Sequence, residues 1–307
     1  MDATREFLTS LGLPARDLGD LPASTKRFPD GAQYRVEIPS VEGPNVFAAV
    51  LETADELGVR IHRVSQGSGG MLHTDAELAG WATAARERTV EVSLFARPLA
   101  GWDTGAASVA SAAGALPSQA RGTEQLVHLL EDVRRTAEHG FRSVLMTDLG
   151  ALDVAARARG ELLPDDLQFK VSVQMGMANP ASIRLAERHG ASTYNVPTDL
   201  SLAQLAAVRT AVDLPLDIYV EAPDDTGGFV RHFEIAEIVR VAAPVYVKFG
   251  LRNAPNIYPS GTHLEPTAIA LGRERVRRAR IGLDLLARYY PDAVTSELGA
   301  PGLAIPV

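Results

Sequence analysis

Two hydrophobic rhythms alternate along the chain. Short strand-like runs, several of them alternating apolar and polar residues, recur eight times between turn residues: YRVEIPS, VRIHRVSQ, TVEVSLFARP, RSVLMTDLG, LQFKVSVQMG, STYNVPTD, LPLDIYVEAP and PVYVKFG. Between several of them the period lengthens to three and four, in NVFAAVLETADELG, DAELAGWATAARER, TEQLVHLLEDVRRTAEHG and PASIRLAERHG, with glycine stopping several of these helices. Alternating strands and helices imply right-handed parallel crossovers, and eight such units close a (β/α)8, or TIM, barrel. A doubly wound open sheet is the alternative. It would want a glycine-rich dinucleotide turn after the first strand, where this chain has PSVEGPN.

The pattern divides the 307 residues into a lead-in (1–33), the barrel (34–291) and a tail (292–307). The lead-in reads as a short helix around Arg5 to Leu11, followed by an irregular stretch punctuated by Pro14, Pro22, Pro29 and Gly31.

A closed barrel turns one face of each strand to the helices and the other inward. In LPLDIYVEAP, Leu216, Ile218 and Val220 share one face while Asp217, Tyr219 and Glu221 share the other, and the polar face is the one expected inside. The same rule points Lys170, Ser172 and Gln174 inward, with Glu91, Ser93, Phe95 and Arg97 from the third strand and Tyr246 and Lys248 from the eighth. The second strand alternates poorly, so His62 competes with Arg63 for the inward face. Arg63 is preferred, because a guanidinium between sheet and helices would lack a partner. Arg35, Glu91, Lys170 and Asp217 are expected to stack as one neutral layer at the floor.

Active sites of such barrels lie at the C-terminal ends of the strands. The residues expected there are Glu37, Arg63, Arg97, Asp148, Gln174, Asn195, Glu221 and Lys248, flanked by Gln66 and Arg252. Glu221, Lys248, Glu37 and Asp148 are the candidate acids, bases and nucleophiles; Arg63, Gln66, Arg97, Gln174, Asn195 and Arg252 are the candidate substrate ligands. Any one of them reads equally well as a rim ion pair. The loop VSQGSGGMLHTDAE offers Gly67, Gly69 and Gly70, whose N–H groups could cradle an anion, or else forms a turn before a helix capped at Thr74. A long third loop rich in small residues (98–122) suggests a lid carrying Trp102 and Asp103. After the last strand, Arg252 and Asn253 are placed beside the site, and Thr262 is the expected cap of the final helix.

Charge and composition narrow the partners. A net charge of −8 and a pI near 5.4 provide no broad basic field, so neither nucleic acid nor a membrane surface is an expected partner. A small-molecule substrate and a cytoplasmic setting are expected, and self-association into a homo-oligomer stays open. The absence of cysteine removes disulfides, thiolate nucleophiles and cysteine-bound zinc or iron–sulfur clusters. His139 and His189 fall at helix ends, and His62, His73, His232 and His263 match no local metal signature. No cofactor is predicted; a divalent metal gathered from Glu37, Glu221 and His263 stays open.

The stretch QFKVSVQMGMANPASIRLAERHGASTYNVPTDLSLAQLAAVR resembles a segment of the peptidase-like U-32 family, in which a strand, Asn-x-x-(Ser/Ala), a helix and an L-S-L turn follow one another. The likeness runs from about Tyr34 to Val247 and is clearest from Gln168 to Glu221. It implies a barrel and collagenase-like peptidase activity. Relatives that hydroxylate RNA bases or ubiquinone precursors use a cysteine-bound cluster, which this cysteine-free chain cannot hold. Three functions follow: a hydrolase with Glu221 or Glu37 as general base and Arg97 or Arg252 on a substrate carboxylate; a lyase, aldolase or isomerase of a small oxo- or hydroxy-acid using Lys248 and Glu221; and a ligand-binding barrel without catalysis.

Overall fold

The computed structural model describes residues 2–17, 21–99 and 118–307. Eight parallel strands hydrogen-bond in sequence order and close on themselves: β1 (Tyr34–Pro39), β2 (Arg63–Ser65), β3 (Glu91–Phe95), β4 (Ser143–Met146), β5 (Gln168–Val171), β6 (Thr193–Asn195), β7 (Leu216–Glu221) and β8 (Val245–Phe249). This is the barrel that the alternation predicts. Helices cover the outside, among them Pro44–Leu57, Asp75–Glu87, Gly122–Glu138, Pro180–Arg188 and the long Glu265–Tyr289. The third loop, with Trp102 and Asp103, has residues 100–117 outside the described residues.

Apolar residues facing the helices make the core: Val36, Ile38, Val64, Val92, Val144, Phe169, Ile218 and Val247 are all buried. Helix starts follow their local chemistry. Thr74 caps Asp75–Glu87 with a reciprocal Glu77 contact, and Asn179 and Ser182 do the same for Pro180–Arg188. Thr262 does not cap the final helix. It opens a 3-10 turn, Thr262–Leu264, that leads into the helix at Glu265.

The bottom of the barrel is closed by the chain's two ends. Arg35 donates to Ser296 Oγ (2.8 Å), to the Pro301 carbonyl (2.7 Å) and to the Tyr246 hydroxyl (3.2 Å), and stacks on Phe28 at 4.0 Å. Glu91 accepts from Ser143 Oγ at 2.8 Å and from the Ala304 N–H at 3.3 Å. The expected four-residue floor is therefore split. Arg35 and Glu91 serve the tail, whereas Lys170 and Asp217 sit one layer higher with Glu37 and Arg63. Tilt and stagger of the strands bring Glu37, two residues beyond Arg35 on β1, level with Lys170 and Asp217.

Candidate active site

Six charges fill the barrel from Glu91 in that floor upward. Glu37 accepts from Arg63 Nε (2.8 Å) and Nη2 (2.5 Å), from Ser65 Oγ (2.6 Å) and from Lys170 Nζ (2.5 Å), and Lys248 Nζ stands 3.2 Å away. Asp217 Oδ1 lies 2.5 Å from Arg63 Nη2, a contact without hydrogen-bond alignment, and its Oδ2 lies 3.1 Å from Lys170 Nζ. Glu91 is 3.7 Å from Arg63. Three carboxylates thus face three cations, which is how a dry interior tolerates any of them. Burial pushes the Glu37 carboxyl up, but Arg63, Lys170 and Lys248 outweigh it and hold the group well below the usual range. Burial pulls Lys170 down, helped by Arg63 and Lys248 and opposed by Asp217 and Glu37. We favour a charged Lys170, since its nitrogen contacts two carboxylates directly.

The sequence places Glu37 and Arg63 at the rim; both are 0% exposed and lie below it. Ser65, Gln66 and Ser40 arrive above them instead. Arg63 does face inward, and His62 faces outward, where its Nδ1 accepts the Val36 N–H and its Nε2 meets the Ser296 carbonyl at 2.8 Å.

Over this cluster opens a cavity lined by Ser40, Ser65, Gln66, Ser172, Gln174, Asn195, Tyr219, Asp225, Lys248 and Tyr258 among others. Lys248 is at its base. Its Nζ donates to Asn195 Oδ1 at 2.8 Å and stands 4.5 Å from the centre of the Tyr219 ring. Asn195 is itself fixed by donating to the carbonyls of Asp217 (3.0 Å) and Val196 (3.2 Å). Of the sequence-derived candidates, Lys248, Asn195, Gln66 and Gln174 meet at this cavity. Ser65, Ser172, Tyr219, Asp225 and Tyr258 are additions; the first three follow from the inward alternation, while Asp225 and Tyr258 lie on loops that periodicity does not reach.

The remaining candidates are elsewhere. Glu221 was expected two inward positions beyond Asp217. A register shift between Tyr219 and Glu221 pairs Tyr219 with Lys248 but Glu221 with Phe249, and so turns Glu221 to the helix side. There it meets His232 Nε2 (3.0 Å), the Arg252 N–H (3.0 Å) and Arg278 (3.7 Å). Burial raises its pKa, yet these three partners more than offset that and leave it lowered. Asp148 caps the helix Leu149–Arg157 through the Ala151 N–H and also accepts from Ala120. Arg97 donates to the Gly67 carbonyl at 2.8 Å and packs its side chain against Gly69. The Arg252 side chain is exposed, 3.6 Å from Asp224.

The glycine-rich loop does cradle an anion, and the anion is the protein's own. The N–H groups of Gly67 and Ser68 and the Ser68 hydroxyl all donate to the Glu42 carboxylate, at 2.9, 3.1 and 2.5 Å. Burial nonetheless raises the Glu42 pKa. Among the described residues no group of three or more His, Cys, Asp or Glu could hold a metal ion, and Glu37, Glu221 and the exposed His263 do not converge. No described helix is long and apolar enough to cross a membrane.

Among solved structures, the chain is similar to the U32 peptidase Mk0906, at 15% identity over 61% of this chain and 69% of that one, with a TM-score of 0.39. It is also similar to a truncated 3-deoxy-D-arabino-heptulosonate 7-phosphate synthase from Thermotoga maritima (13% identity, 92% and 94% covered, TM-score 0.46). A third is thiamine phosphate pyrophosphorylase from Pyrococcus furiosus (12%, 83% and 98%, 0.46). No curated protein matches. Residues 115–222, from before the helix Gly122–Glu138 to the end of β7, match the family model of Peptidase family U32, the family that the Asn179-x-x-Ser182 segment resembles.

Proposed function

We propose that the protein is an enzyme acting on a small polar carbonyl compound, with Lys248 as the nucleophile. One observation carries this: among the described residues Lys248 is the only amine, and the only cation, lining the cavity at the mouth. It is 3% exposed and lies in the lining of that cavity. Asn195 aims its nitrogen, and the Tyr219 ring forms the wall beside it.

In this reading the Lys248 ammonium first passes a proton to the Asp225 carboxylate across the cavity; Nζ then attacks the carbonyl carbon, and a second proton moves from nitrogen to oxygen to give a carbinolamine. The hydroxyl leaves as water once it takes back the proton that Asp225, the one carboxyl among the described lining residues, accepted from Lys248. Partial desolvation, with Asp224 nearby, raises the Asp225 pKa, which suits a carboxylate that takes up a proton and returns it within one turnover. The resulting iminium draws electrons from the adjacent carbon, so a neighbouring C–C bond can break or a proton can shift. Lyase, aldolase and isomerase chemistry all follow from that intermediate.

A second reading is favoured by the family match. In a peptidase-like hydrolase, Asp225 would take a proton from water and Lys248 would stabilise the oxyanion as a charge. Lys248→Arg separates the two. A guanidinium keeps the positive charge but forms no imine, so it abolishes carbonyl chemistry while leaving part of a hydrolytic activity. Screening small oxo-acids, aldehydes and dipeptides with the parent and this variant, with borohydride present to fix any imine, tests the proposal. Turnover of oxo compounds that survives Lys248→Arg sinks the imine reading.

A further inference from the structure

The cavity over Lys248 continues sideways. A second hollow shares Val173, Gln174, Asp225 and Thr226 with it and runs outward past Thr198, Asp199 and Gly227 to Phe229. The turn after β6 supplies one wall and the loop after β7 the other. Phe229 is 45% exposed, an aromatic ring left open to solvent beside an opening.

The charges around this hollow are one-sided. Asp199 and Asp225 line it, and among the described residues no Lys, Arg or His does. The neighbouring cations are engaged elsewhere. Arg231 is bonded to Glu234 (2.9 and 2.6 Å) and to the carbonyls of Thr198 and Leu200. Arg252 stands 3.6 Å from Asp224, a third carboxylate on the same loop. An anionic group entering here would meet two carboxylates and no counter-charge among the described residues that line the hollow. A cationic group would meet both carboxylates and an exposed aromatic ring, whose face attracts ammonium groups through its quadrupole.

We infer that the substrate carries a cationic group as well as its carbonyl: the carbonyl sits at Lys248, and the ammonium end lies in the side hollow between Asp199 and Phe229. This rests on the carbonyl reading of the same site and narrows its substrate class. Asp199 and Phe229 become specificity-determining residues, touching the part of the substrate that does not react. The exposed ring favours a methylated ammonium, whose diffuse charge sheds water more readily than a primary amine's.

The test compares three aldehydes of similar length: 4-(trimethylammonio)butanal, its neutral isostere 5,5-dimethylhexanal, and anionic succinic semialdehyde. Cyanoborohydride fixes each as an adduct on Lys248, read by peptide mass spectrometry. The cationic aldehyde should half-saturate at a concentration on the order of tenfold lower than the neutral one, with the anionic one weakest. Asp199→Lys should reverse the order of cationic and anionic aldehydes. Calorimetric titration with 4-(trimethylammonio)butan-1-ol and 5,5-dimethylhexan-1-ol reads the same preference without any imine. Equal affinity for the two alcohols, or an order untouched by Asp199→Lys, overturns the inference. A preference for the cationic alcohol with no adduct on Lys248 overturns the imine reading alone; adducts without a charge preference do the reverse.

Discussion

Replacing Asp217 by alanine removes one of three carboxylates that balance three cations inside the barrel. Its Oδ1 is 2.5 Å from Arg63 and its Oδ2 is 3.1 Å from both Lys170 Nζ and the Thr193 hydroxyl. Glu37 would then face Arg63, Lys170 and Lys248, with only Glu91, 3.7 Å from Arg63, to help. Water cannot substitute, because Asp217 and Arg63 are 0% exposed and Lys170 is 1% exposed. Stripping a buried cation of its partner costs about 3–5 kcal/mol. For 307 residues that lowers the melting midpoint by about 5–8 °C. Urea unfolding at neutral pH, with the midpoint and slope both fitted, measures it. The control is Asp217→Ala combined with Lys170→Met, which removes one charge of each sign and keeps a side chain of similar length. It should regain at least half of the loss. An unchanged midpoint in the single variant, or a double variant that merely adds two losses, would refute the balanced-cluster argument.

Other consequences are separately measurable. Burial holds the His62 imidazole down to about 4 from its ordinary 6.5, so between these values the unfolded chain takes up a proton that the folded one excludes. Stability should therefore fall as pH drops through that window, by about 3 kcal/mol, and His62→Gln should flatten that part of a urea-derived pH profile; identical acid slopes would count against it. Glu221→Gln should cost about 1–3 kcal/mol through its His232 and Arg252 contacts, yet leave imine trapping at Lys248 in place, since the side chain faces the helices. Loss of trapping in a folded Glu221→Gln protein would show that the carboxylate reaches the mouth after all. Gly282→Ala should destabilise by about 1–3 kcal/mol, because a Cβ there would stand 2.4 Å from the Phe249 ring, and an unchanged urea midpoint would contradict that packing. Exhaustive chelation should leave the melting temperature unchanged, and stoichiometric zinc, manganese or iron in elemental analysis would overturn that expectation.

Period-two runs were sufficient to read all eight strands, because each strand here has one face on helices and a different, polar face inside. That difference is unusual in a barrel and makes the inward set legible: Lys170, Asp217 and Lys248 point where alternation sends them, and Arg63 where its need for a charged partner does. Height was less legible than direction. Alternation says which face a residue takes but not how strands slide along one another, so Glu37 was assigned to the rim and Arg35 to the layer that Glu37 occupies. Glu221 was lost for another reason. A single-residue register shift reverses every face beyond it, and nothing in IYVEAP announces one. Asp225 and Tyr258 were invisible because loops carry no period.

The arrangement of charge explains why Lys248, rather than Lys170, is the amine to watch. Both are inward lysines near Glu37, and Glu37 touches both. Lys170 is enclosed from every side: two carboxylates hold its nitrogen, and it does not line the cavity at the mouth. Lys248 is one layer higher, where the cluster meets open space, and its neutral partner Asn195 takes the place that Asp217 has for Lys170. The lower five charges therefore act as a rigid base that sets the height and direction of the sixth. On this account Asp217→Ala does more than lower stability. With one carboxylate gone, Glu37 is drawn towards Arg63 and Lys170, and Lys248 loses its 3.2 Å contact from below. The fraction of Lys248 fixed by borohydride under saturating aldehyde should then fall at temperatures where the variant is still fully folded, and the charge-restoring Lys170→Met change should recover it together with the melting midpoint. Recovery of stability without recovery of trapping would separate the two and leave the buried cluster as a structural device only.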